Sequence, residues 1–101
     1  MITATIKKSK KYIYINLFDD SGSFQYEIKA PMNRYKNEHK IHFQKTFIYL
    51  APIKQTKEYF ESEYNDVLEK LKEKYGEKSD IVKIFASCKE DFLKSISYFM
   101  E

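Results

Sequence analysis

KYIYINLF, residues 11–18, decides how this chain folds. In an extended backbone Ile13, Ile15 and Leu17 point one way, while Tyr12, Tyr14, Asn16 and Phe18 point the other. Both sides carry sizeable apolar groups, so the segment predicts a strand in the interior of a sheet. Residues 19–23 carry turn chemistry: Asp19, Asp20, Ser21 and Ser23 bond locally to backbone, and Gly22 supplies a positive φ. FQYEIKA, residues 24–30, then alternates again, with Phe24, Tyr26, Ile28 and Ala30 against Gln25, Glu27 and Lys29. Strand, turn and strand predict a hairpin.

On the other side of this hairpin, ITATIK (residues 2–7) alternates Ile2, Ala4 and Ile6 with threonines, which predicts a further strand. After Pro31 the polar run to residue 40 reads as a loop, carrying Arg34, Tyr35, Lys36 and Lys40. Residues 41–51 predict a fourth strand through Ile41, Phe43, Lys45, Phe47 and Tyr49. Lys45 interrupts that apolar series, and a bulge near residues 45–47 would move the later side chains to a new face.

Beyond Pro52 the period changes. Phe60, Tyr64, Val67, Leu68, Leu71 and Tyr75 make one stripe of an amphipathic helix over residues 56–75. Thr56 suits its N-cap and Gly76 the position just past its end. A second helical stretch over 80–86 and a third over 88–100 come next, with Ser87 to Glu90 in capping-box form; a single bent helix is the alternative. Strands with short links followed by helices predict an α+β domain spanning 1–101. Its four-stranded antiparallel sheet would be backed on one face by two or three C-terminal helices, leaving the other face open.

Charge divides along the same line. Residues 1–54 hold ten Lys and Arg against four Asp and Glu, while residues 55–101 hold eight against eleven. A basic, strand-rich half thus precedes an acidic, helical half. Nine Tyr and eight Phe exceed what a small core needs, so some tyrosines are expected at the surface. The single cysteine, Cys88, excludes an internal disulfide and suits a reducing, cytoplasmic setting. No apolar run is long enough to span a membrane, and the N-terminal residues lack the order of a signal peptide.

No catalytic motif is present. With only two glycines, backbone cradles for phosphate are all but excluded. Asp19 and Asp20 sit in a turn rather than in a cleft that would separate their pKa values. His39 and His42 point to opposite faces of a strand entry and make a poor metal pair. Cys88 at a helix start could be a nucleophile, but a small, partly buried thiol is the simpler reading. No cofactor is expected.

The chemistry that remains is that of binding. Lys10, Lys11, Tyr12, Tyr14, Tyr26, Arg34, Tyr35 and Lys36 form the expected surface, with tyrosines as anchors and cations as a rim. A protein partner, or self-association through the open sheet face, is the first expectation. Nucleic acid is the alternative, since cations neutralise phosphates and rings stack on bases. Residues 11–14, the Asp-Asp-Ser-Gly turn and residues 24–26 resemble the arm-binding domains of integrases, over about a fifth of the chain. That resemblance implies a sheet laid on DNA. A second candidate surface is the acidic helix face of Glu58, Glu61, Glu63, Asp66, Glu69 and Glu73. A small, Lys- and Tyr-rich chain of this kind suits accessory proteins of phages, plasmids or other mobile elements. Inhibitors of host defence nucleases, which act by occlusion, are among them.

Overall fold

The structure, a computed structural model, describes residues 1–32, 43–50 and 54–100. Four strands form one antiparallel sheet: β1 (Ile2–Lys8), β2 (Tyr12–Asp19), β3 (Phe24–Pro31) and β4 (Gln44–Tyr49). They lie in sequence order, so β2 is an interior strand, paired with β1 and with β3. Three helices complete the chain: α1 (Lys57–Tyr75), α2 (Asp80–Ser87) and α3 (Lys89–Tyr98). The expected α+β architecture is the one observed.

Register decides which side of the sheet is covered. The turn after β2 sets Ile15 opposite Ile28 and Leu17 opposite Tyr26. Ile13, Ile15, Leu17, Phe24, Tyr26, Ile28 and Ala30 therefore share one face, and all are buried. The helices lie on it through Phe60, Tyr64, Val67, Leu71, Ile81, Ile84, Phe85, Phe92 and Ile96. Burying side chains of this size contributes about 1.5–3 kcal/mol each. The core is heavily aromatic. Tyr26 meets Phe92 edge-on at 5.4 Å, Phe24 meets Phe60 at 5.6 Å, and Tyr64 stacks on Phe85 at 4.1 Å.

The expected bulge in the fourth strand does not form. β3 and β4 pair without interruption from Phe24 opposite Tyr49 to Lys29 opposite Gln44. Lys45 stays in phase with Phe47 and Tyr49 because its ammonium is paired with the Asp91 carboxylate of α3. That ion pair replaces the apolar contact the alternation lacks at this position.

The helix ends follow local chemistry at Thr56, Gly76 and Ser79, but not at Ser87. Thr56 caps α1 by accepting from the Tyr59 amide at 3.2 Å, and Gly76 ends it at φ 92°. Ser79 caps α2 by accepting from the Val82 amide at 3.3 Å. The capping box at Ser87 is not used. Its hydroxyl donates back to the Lys83 carbonyl at 2.8 Å, and Cys88 becomes the joint between α2 and α3. Among the described residues no helix is long and apolar enough to cross a membrane.

Candidate functional site

The uncovered face of the sheet is built from the out-of-phase residues of the same strands. Three cross-strand rows make it up. Lys7, Tyr14, Lys29 and Gln44 form the first; Thr5, Asn16, Glu27 and Thr46 the second; Thr3, Phe18, Gln25 and Ile48 the third. Tyr12, opposite Pro31, extends the face beyond the first row. Side chains directly opposite one another on antiparallel strands touch, so each row behaves as a unit.

The first row carries the strongest chemistry. Tyr14 is flanked in register by Lys7 on β1 and Lys29 on β3. The Lys29 ammonium lies 4.2 Å from the centre of the Tyr12 ring and 6.0 Å from that of Tyr14. The two tyrosine rings are 6.2 Å apart and tilted by 55°. Both are half-buried, held among their neighbours.

The turn between β1 and β2 adds cations at this end. The Ser9 amide donates to the Tyr12 carbonyl at 2.8 Å, and the Tyr12 amide donates to the Ser9 hydroxyl at 3.0 Å. Lys10 and Lys11 are exposed in that turn. The Met32 amide donates to the Lys11 carbonyl at 2.8 Å, so the chain leaving β3 is tied to the same corner. Lys8 is exposed here too, its ammonium 5.9 Å from the Tyr75 ring centre.

Of the residues expected to bind, Lys10, Lys11, Tyr12 and Tyr14 are thus brought together. Tyr26 is not with them. It is 1% exposed on the opposite side of the sheet, against Phe47 and Phe92, and so cannot serve as a surface anchor. The expectation failed because alternation within β3 does not say which of its faces joins the tyrosine side of β2; only register does. Arg34, Tyr35 and Lys36 lie outside the described residues, as do His39 and His42. Lys29 was missed. Its signal was its phase with Gln25 and Glu27 on the polar side of β3.

The other sequence candidates resolve locally. The Asp19 carboxylate accepts from the Ser21 hydroxyl at 2.6 Å and also from the Ser21 and Ser23 amides. Slight burial raises its pKa, but these bonds and the Gly22 amide outweigh burial and hold it below the usual range. Cys88 is fully buried, and burial pushes its thiol up to about 11, against the opposing pull of Lys45. The thiolate is therefore scarce at neutral pH. On the acidic helix face, Glu61 pairs with Lys89 at 3.3 Å, Glu69 with Lys72 at 3.2 Å, and Glu63 accepts from the Ile2 amide at 3.1 Å. Those partners dilute the acidic field. Among the described residues no cluster of three potential metal ligands occurs. Comparison with protein families, curated proteins and solved structures finds no match to this chain.

Proposed function

We propose that this protein acts without catalysis, by laying the open face of its sheet against another protein and occluding it. Tyr12 and Tyr14 are the anchors, and Lys7, Lys10, Lys11 and Lys29 are the charged rim. One observation carries the reading: the Lys29 ammonium sits 4.2 Å from the centre of the Tyr12 ring. That ring face is already taken by a cation, which leaves the phenol edge and hydroxyl to meet a partner. The rows beside it support the same view. Thr5, Asn16, Thr46 and Gln25 offer hydrogen bonds, and Glu27 places a carboxylate amid the face. Such a mixture matches a protein interface better than a phosphate track. An inhibitor of a host defence nuclease, borne by a phage or plasmid, is the narrower form of this proposal.

Nucleic acid is the second reading. It is favoured by the row in which Tyr14 stands between Lys7 and Lys29, since a ring between two cations is the unit of a single-strand platform. A tagged pull-down from host lysate, split into nuclease-treated and untreated halves, separates the two. A discrete protein should survive nuclease and be lost with Tyr12→Ala and Tyr14→Ala together. Capture of nucleic acid alone, weakened about 10³–10⁵-fold between 50 and 200 mM salt, would overturn the protein reading.

A further inference from the structure

The sheet has an edge whose sequence is its own complement. Ile2-Thr3-Ala4-Thr5-Ile6 reads the same in both directions. It forms most of β1, an edge strand. The phase of the β1–β2 ladder is set by the Ser9–Tyr12 bond, so the backbone groups of Ile2, Ala4 and Ile6 point away from β2. Among the described residues, the one hydrogen bond on this outer edge is the Ile2 amide to Glu63 at 3.1 Å. A groove of about 560 Å³ runs along the edge beneath α1, lined by Ala4, Ile6, Val67, Lys70, Leu71 and Lys74.

We propose that two copies of this chain pair through β1, antiparallel about a two-fold axis at Ala4, joining their sheets into one. A two-fold interface requires each patch to complement itself, and a palindromic strand meets that requirement residue by residue. Ala4 would face Ala4 of the second copy, Ile2 would face Ile6, and Thr3 would face Thr5. Each outward-pointing pair exchanges both backbone hydrogen bonds. Isoleucines of the second copy enter the groove, while threonines pair on the open face. Centring the axis on Ile6 instead would set Ala4 against Lys8.

Charge on α1 is arranged for the same axis. α1 runs alongside β1 in the same direction, with Glu63 at Ile2 and Tyr75 near Lys8. The two-fold reverses the second copy, so Glu63 of one chain approaches Lys74 of the other. The Ile2 amide then donates to the Ile6 carbonyl of the second copy, which frees Glu63 for that lysine. This pairing runs along the sheet edge and shares only Thr5 with the proposed partner surface, whose anchors Tyr12 and Tyr14 lie on the interior strand β2.

Sedimentation equilibrium of the full chain tests it. The expected mass is twice the 12.2 kDa of one chain. Ala4→Pro removes a donor that points away from β2, which an edge strand tolerates. That variant should keep its circular dichroism and fall to the mass of one chain. Glu63→Lys should raise the dimer dissociation constant at least ~tenfold, and adding Lys74→Glu should restore it. Tyr12→Ala with Tyr14→Ala should lose partner capture and keep the doubled mass. A wild-type chain that stays single up to about 1 mM, the weakest affinity worth counting, overturns the proposal. So does a dimer that survives Ala4→Pro, or a charge swap that restores nothing.

Discussion

Tyr26 and Tyr64 are both buried in the core, yet their hydroxyls fare differently. Tyr64 donates to the Phe85 carbonyl, whereas the Tyr26 hydroxyl has no partner among the described residues. Removing one member of a buried pair leaves the other unsatisfied, while removing an unpaired hydroxyl relieves a desolvation cost. Tyr64→Phe should therefore lose about 1–2 kcal/mol of stability in urea unfolding. Tyr26→Phe should be neutral or gain up to ~1 kcal/mol. Cys88 offers a third residue-level check. Fully buried and with its thiol pushed up to about 11, it should react with a thiol reagent at neutral pH only as fast as the chain opens. Labelling that saturates in the native state without denaturant would contradict this.

The helices owe their limits to caps that can be removed singly. Thr56 and Ser79 each satisfy an amide that would otherwise lack a partner. Thr56→Ala and Ser79→Ala should each cost ~1 kcal/mol in denaturant melts. Ser87→Ala should cost little, because its hydroxyl bonds back within α2 rather than capping α3. Equal losses at Ser79 and Ser87 would reinstate the capping box. Gly76→Ala meets no steric neighbour, but it forces a side chain onto φ 92° and should cost about 1 kcal/mol.

Alkaline pH acts on the molecule as a whole, because Cys88, Tyr26 and Tyr64 enter one core from α3's start, β3 and α1. Burial raises all three, and the mutual proximity of Cys88 and the two phenols adds to the tyrosine shifts. A group whose folded pKa is raised stabilises the fold below its unfolded pKa and loses that contribution as pH rises through the folded value. For Cys88 the window runs from 9.0 to about 11. Two units correspond to about 3 kcal/mol. Tm should stay level from neutral pH to about 8.5 and then fall steeply above about pH 9, with Cys88→Ala flattening the first part of the decline. A Tm unchanged through about pH 10.5 would show that the core admits water.

Much of this architecture is legible in the chain itself. Period-two runs such as residues 11–18 and the stripe from Phe60 to Tyr75 state their secondary structure, because side-chain direction is dictated by backbone repeat. Turn and cap residues state where each element ends, since Asp19, Gly22, Thr56 and Gly76 act on backbone atoms a few positions away. The chain alone predicted the hairpin of β2 and β3 and an antiparallel sheet backed by helices, but left the strand register and the face that the helices cover undecided. Register placed Tyr26 inside and Lys29 outside, and an ion pair with α3 kept Lys45 in line. The capping box failed because the packing of α2 against α3 made Cys88, not Ser87, the joint. Local order is governed by bonds within a turn or two of sequence. The candidate surface, in contrast, is whatever the core leaves uncovered, and only tertiary contact determines that.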